Sequence, residues 1–159
     1  LTDHRQQSGR ANVPAARTTV SGIDYFRKIQ SGELPRAAML ELLGMRLLEV
    51  DEGRVVFGVE PSEKHYNAMG IAHGGLAATL LDSALGCAIN TLAPAGKVFT
   101  TLELKVNFTR PIRTECGPLR CEAHVVHMGS RTATSEGRVV DARGKLYAHG
   151  TTTCIVVDV

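Results

Sequence analysis

The run from Gly74 to Ala95 constrains this chain more than any other stretch. Wound as a helix, it carries apolar residues on almost every side, among them Leu76, Leu80, Leu81, Leu85, Ile89 and Leu92. A helix that is apolar all round is a buried one. The run is nearly long enough to span a membrane. Asp82 in its middle, with Thr79, Ser83 and Asn90 nearby, argues against a span, because a charge at bilayer depth is costly. The sequence that follows reads as strands. The run is therefore read as a core helix, Gly74–Leu92, closed by the Pro94–Gly96 loop, with a curved sheet wrapped around it.

The flanking sequence supplies that sheet. Arg46–Asp51 and Arg54–Glu60 are strand-like and joined by Asp51-Glu52-Gly53, a hairpin signal. Pro61–Ala72 reads as a loop. Thr101–Thr109 alternates, with Leu102, Leu104, Val106 and Phe108 facing one way and Glu103, Lys105 and Asn107 the other. Leu119–His127, Arg131–Asp141 and Lys145–Val156 follow, and the short turns between them imply antiparallel neighbours. Upstream, Ile23–Gln30 reads as a short helix capped by Ser21, and Leu34–Leu43 as another, with Pro35 in its first turn and Gly44 at its end. Leu1 to about Val20 is polar and aperiodic, a flexible extension on this reading. The expected division is an N-terminal extension over 1–32 and one domain over 33–159, of α+β class.

Composition narrows the function. The 159 residues fit a single core, and a net charge of +2 with only 4% aromatic residues gives neither the basic surface nor the stacking platforms of a nucleic-acid binder. Cys87, Cys116, Cys121 and Cys154 form no C-x-x-C pair and read as reduced thiols of a cytoplasmic protein. Leu1–Ala16 has no apolar run, so no secretory signal is read there. Gly-x-Ser-x-Gly, P-loop and dinucleotide patterns are all missing from the sequence, and no metal or cofactor is expected.

Asp82 is the one charge in the core helix, so it must be hydrogen-bonded, protonated or open to a cleft; a structural carboxylate at a subunit interface would satisfy the same pattern. His73-Gly74-Gly75 opens the helix. Glycine there lets a ligand approach the backbone, and the free N–H groups of a first turn stabilise negative charge on a carbonyl oxygen. Gly74 and Asp82 are eight residues apart, roughly 12 Å at helical rise. They cannot act on one carbon from the same chain. If both serve one reaction, they come from two chains with their helices side by side, in the commonest C2 arrangement.

The string Asn67-Ala68-Met69-Gly70-Ile71-Ala72-His73-Gly74-Gly75, followed by Leu81-Asp82, resembles the signature of the phenylacetate-degradation type of hotdog thioesterase. These are similar to the 4-hydroxybenzoyl-CoA thioesterases and to the human thioesterase-superfamily acyl-CoA hydrolases. The resemblance runs from about Leu34 to Val157 and takes in the Asn-Phe-Thr-Arg-Pro ending of the Leu104–Pro111 segment and the Gly129-Ser130-Arg131 turn. It implies an antiparallel sheet around a long helix, with an extra N-terminal helix here. It also implies a homodimer as the catalytic unit, further paired into a homotetramer, and hydrolysis of an acyl-CoA whose CoA moiety is part of the substrate. Asp82 would be the general base on water, or the nucleophile itself. Gly74 N–H would polarise the thioester carbonyl from the partner chain. Asn67 would orient water or carbonyl, and His73 would hold the loop. Thr101, or else Thr100, would place a hydroxyl beside the carboxylate.

Two other readings share the fold: a hydratase or dehydratase acting on enoyl- or hydroxyacyl thioesters, and a non-catalytic acyl-CoA binder. The Asp–His motif expected of the former is missing from the sequence. His124 and His127 sit on a strand facing opposite ways, and His65 is a candidate for the pocket rim. Arg110, Arg113, Arg131, Arg143 and Lys145 are solvated by default, with two or three of them expected to clamp CoA phosphates. Phe99, Phe108 and Tyr66 are candidates for the wall of an aryl pocket.

Overall fold

The core helix, α4, runs Gly74–Thr91 in a computed structural model that describes residues 15–159. The aperiodic stretch through residue 14 lies outside the described residues. Leu76, Ala77, Leu80, Leu81, Ala84, Leu85, Ala88 and Ile89 form its buried stripe. Each fully buried leucine contributes about 1.5–3 kcal/mol by leaving water. The expectation of burial on every side is corrected: Gly75, Ala78, Thr79, Asp82, Ser83, Gly86 and Asn90 form a face that is only half-buried. The single sheet covers one side of α4 and leaves this one open.

That sheet has six strands: β1 Arg46–Asp51, β2 Arg54–Val59, β3 Lys97–Phe108, β4 Leu119–Met128, β5 Thr132–Asp141 and β6 Leu146–Asp158. Their spatial order is β1-β2-β4-β5-β6-β3, with every pairing antiparallel. Alternation is clean on β4 and β5, where Leu119, Cys121, Ala123, Ala133, Ser135 and Val139 point inward. Small residues let the sheet curl onto the helix. A side chain at Gly137 would lie 2.9 Å from the Glu122 carbonyl, and one at Gly150 would lie 2.5 Å from that of Lys105. Ser135 Oγ donates to Leu85 O at 3.0 Å, tying helix to sheet.

The expected α+β architecture, a sheet wrapped round a long helix, is what the chain adopts. Three local expectations change. Leu34–Leu43 is helical only over Ala38–Leu42, α3, because Pro35 disfavours helical backbone at Leu34 and Ala37 is still extended. The polar stretch ending at Val20 contains a short helix, α1 Ala16–Thr19, whose Arg17 is buried and donates to Lys97 O at 2.6 Å. The next helix, α2 Gly22–Ser31, is capped by Ser21 as expected and lies so close to α4 that a side chain at Gly22 would strike the Asn90 carbonyl at 1.7 Å. The third change is in β3. It starts at Lys97, and a bulge between Thr101 and Glu103 breaks the alternation. Leu104 and Val106 pack on the core, but Leu102 is 60% and Phe108 57% exposed. β3 is an edge strand of 12 residues, with one side unpaired among the described residues.

Candidate functional site

His73 creates the entry to α4. Its backbone is extended, and its Nδ1 accepts from Gly75 N–H at 2.9 Å, so the imidazole is the helix cap. Such a ring carries its proton on Nε2. The preceding loop is held by its own backbone: His73 N donates to His65 O at 2.7 Å, and Asn67 N to Ile71 O at 2.8 Å. The Asn67 carboxamide oxygen accepts from Met69 N–H at 2.9 Å, forming a turn that Gly70 completes at φ 70°. Gly74, the first residue of the helix, finds no acceptor for its N–H among the described residues. The Phe108 ring lies against it, so that a Cβ at Gly74 would sit 3.2 Å from Cζ.

These groups line an open cleft of about 420 Å³, walled by Phe108, Arg110 and Tyr147 as well as Asn67, His73 and Gly74. Tyr147 was not anticipated. It arrives through long-range pairing, since its carbonyl accepts from Thr109 N at 2.9 Å, and no local sequence signal reveals that. Of the proposed aryl-wall residues, Phe108 lines this cleft. Phe99 belongs instead to a buried cluster with Ile89 and Ala133, and Tyr66 exchanges hydrogen bonds with Thr114. His65 is occupied in capping Ser62, its Nδ1 accepting from Ser62 N at 3.0 Å.

Asp82 lies elsewhere, two turns along α4 on its open face. Thr101 Oγ1 donates to Asp82 Oδ1 at 2.9 Å, which selects Thr101 over Thr100 as the hydroxyl beside the carboxylate. The β3 bulge follows Thr101, and Thr101 pairs with Cys154 on β6, whose Sγ lies 3.9 Å from Oγ1. Cys154 beside this pair was also unforeseen, being visible only once β3 and β6 are in register. The Cys87 thiol is pushed up to about 12, first by removal from water and then by the Asp82 charge. It stays protonated at neutral pH and is a poor nucleophile.

The structure thus brings Asn67, His73 and Gly74 together at the helix tip, and Asp82 with Thr101 at its middle. It does not bring the two sets together within one chain. Among the described residues no group of His, Cys, Asp and Glu has a metal-binding arrangement, and no helix is long and apolar enough to cross a membrane.

Comparison with known proteins places this geometry among relatives. A family model described as the thioesterase superfamily matches residues 69–148, which include His73, Gly74, Asp82 and Thr101. Human acyl-coenzyme A thioesterase 13 is 31% identical over 109 residues, covering 65% of this chain and 74% of that protein. The 1,4-dihydroxy-2-naphthoyl-CoA hydrolase of Listeria monocytogenes is 27% identical over 107 residues, covering 67% of this chain and 85% of its own. Among solved structures, a variant of the phenylacetic acid degradation protein PaaI from Thermus thermophilus superposes with a TM-score of 0.68 at 32% identity, covering 75% of this chain and 98% of that one.

Proposed function

The chain belongs to the thioesterase superfamily and is a thioester hydrolase; from that premise we propose that it cleaves acyl- or aryl-acyl-CoA by carboxylate-assisted attack of water at a site shared between two copies. The carrying observation is the division of the machinery along α4. The carboxylate faces outward on an uncovered helix face, and the free N–H lies in a cleft at the helix tip, roughly 12 Å away by helical rise. A second α4 running antiparallel against the open face would bring one chain's tip to the other's middle. The unpaired edge of β3, with its exposed Leu102, borders that face and favours the same partner. Asn67, His73, Gly74, Asp82 and Thr101 are the proposed site residues, with residues 33–159 as the domain that carries them.

The chemistry follows from the groups present. Asp82 accepts a proton from water as the water oxygen bonds to the thioester carbon. Negative charge gathers on the carbonyl oxygen, where the partner's Gly74 N–H donates to it. The C–S bond then breaks, and the thiolate leaves and takes up a proton. Thr101 holds the carboxylate oriented and supplies a charge-assisted hydrogen bond. A thioester has little resonance stabilisation to overcome, so one base and one oxyanion donor suffice. The names of the human and Listeria relatives bring acyl and aryl-acyl CoA esters into consideration alike. Hydrolysis of short, medium, long and aryl-CoA esters, followed by thiol release, tests the proposal. Turnover of one class that is lost in Asp82→Asn supports it, and full turnover by Asp82→Asn removes it.

A further inference from the structure

Asn90 is a polar side chain near the end of the largely apolar α4, and the proposed chemistry does not use it. Its carboxamide is fully engaged. Nδ2 donates to Gly86 O, one turn back on α4, at 2.9 Å and to Phe99 O on β3 at 2.8 Å, while Oδ1 accepts from Phe99 N–H at 2.8 Å. A carboxamide presents donor and acceptor in one plane, so Asn90 pairs with Phe99 as the peptide of a neighbouring strand would. Opposed residues of an antiparallel pair exchange both backbone bonds or neither. Phe99 stands opposite Val156 on β6, and Val156 N donates away from β3, to Arg131 O at 2.9 Å. The Phe99 N–H and C=O therefore lie on the free edge of β3, and Asn90 takes up both.

That edge leads to Asp82. Side chains two apart on a strand share a face. Phe99 is buried with Ile89 and Cys154, and the next residue on its face is Thr101, whose hydroxyl reaches Asp82. The strand passes close over the turn that Asn90 ties, since a Cβ at Gly86 would lie 3.9 Å from Thr101 Oγ1. The ladder with β6 sets the place of β3 within the sheet. Among the described residues, the only hydrogen bonds between β3 and α4 are the two at Phe99 and the one from Thr101 to Asp82. Beyond Thr101 the bulge disrupts the ladder, so the strand is least constrained where the hydroxyl must be placed.

Helix ends fray, and Asn90 is the second-to-last residue of α4. Here the end is held from two sides. Gly22 N of α2 donates to Ala93 O at 2.9 Å, and Thr91 Oγ1 accepts from Gly53 N, in the β1–β2 turn, at 2.8 Å. We propose that Asn90 is a positioning residue for the hydrolysis: paired with the Phe99 backbone, it sets the edge strand against α4 so that the Thr101 hydroxyl meets the Asp82 carboxylate. The inference rests on the proposed roles of Asp82 and Thr101. It explains why a carboxamide stands there, since a carboxylate offers no donor to Phe99 O or Gly86 O and an apolar side chain offers nothing to either.

Asn90→Ala removes the pairing and lets water reach the Phe99 backbone. It should lower kcat about three- to tenfold, no more than Thr101→Val does, with KM changed less than about twofold. Because Asn90 acts through Thr101, the same substitution made in the Thr101→Val protein should cost less than about twofold. Ser135→Ala is the control for a merely structural tie: it too cuts a side-chain hydrogen bond from sheet to α4, at Leu85 O, but on β5. It should lower the melting temperature and leave kcat within about twofold. Asn90→Asp keeps an acceptor for Phe99 N–H and loses both donors; it should move kcat in the same direction, and it replaces the alanine variant if that one does not fold. In wild type, Phe99 N–H should be protected from hydrogen exchange, and either variant should lose that protection. Wild-type kcat in a folded Asn90 variant, an equal loss with and without the Thr101 hydroxyl, an equal loss in Ser135→Ala, or rapid exchange of Phe99 N–H in wild type would overturn the proposal. Turnover that Asp82→Asn abolishes and Asn90→Ala leaves untouched overturns this inference alone. Turnover that neither substitution lowers, with Phe99 protection lost in Asn90→Ala, upholds the clamp and sinks the proposed site.

Discussion

The tip of α4 and its middle are built by different means. At the tip, backbone does the positioning. The His73 ring caps Gly75, Asn67 ties off its own turn, and Gly74 is pressed so closely by Phe108 that a side chain there needs the ring to move. At the middle, side chains do it, with Thr101, just before the β3 bulge, donating to Asp82 at 2.9 Å. The tip offers an unused donor inside a cleft, whereas the middle offers an oriented acceptor on an open face. Each is one half of what an acyl transfer needs. The chain ties each half in place by hydrogen bonds and keeps the two roughly 12 Å apart by helical rise, which is the arrangement expected when the missing half belongs to a second copy.

Substitutions that remove one half should therefore differ in kind. Asp82→Asn keeps size and shape but cannot take a proton, and should cost about 10²–10⁴-fold in kcat. Gly74→Pro removes the N–H at a position where proline is compatible with a helix start, and the extended backbone of His73 accepts it; its Cβ also presses on the Phe108 ring, so Gly74→Ala, which adds the Cβ and keeps the N–H, is the control and should lose far less. The proline variant should cost about 10²–10³-fold in kcat, with a smaller effect on KM. Thr101→Val strips the hydrogen bond from a charged group, a loss of about 1.5–3 kcal/mol when fully realised. Because Thr101 is exposed in the single chain, about tenfold in kcat is expected, with Thr100→Val close to wild type. A Thr100 effect equal to that of Thr101 would contradict the role assigned to the Thr101 hydroxyl. The smallest change is His73→Ala. Loss of the cap should lower stability by about 1 kcal/mol, read as a melting temperature down by about 2–4 °C.

Much of this was legible in the sequence, for a physical reason. The short turns that bound β4 and β5 marked them as antiparallel strands, and the length and apolar content of α4 marked it as the core helix, although its half-buried face was not foreseen because alanine and glycine look alike on wet and dry sides. Where local rules compete, reading failed. The extended backbone at Ala37 delayed the start of α3, and at the bulge in β3 Leu102 faces outward while Leu104 and Val106 pack inward. The separation of Gly74 from Asp82 followed from helical rise alone. The partnership of Thr101 with Asp82 was only implied by resemblance, because it needs a strand and a helix brought together across 19 residues. The places of Tyr147 and Cys154 were invisible because their neighbours come from distant strands, and for the same reason the strand-end cations Arg110, Arg113, Arg131, Arg143 and Lys145 could be named but not sorted. A lone tyrosine or arginine in a strand pattern carries no record of its register.

Mixing two inactive variants tests the central claim most directly. Asp82→Asn and Gly74→Pro subunits, unfolded together and refolded at equal amounts, should form mixed dimers in half of the population. Each mixed dimer would hold one site with an intact Gly74 from one chain and an intact Asp82 from the other. Activity should return to about a quarter of wild type, although each variant alone stays at about 1% or less. If mixed dimers form and no activity returns, the two halves do not meet across a subunit boundary, and the shared site is contradicted.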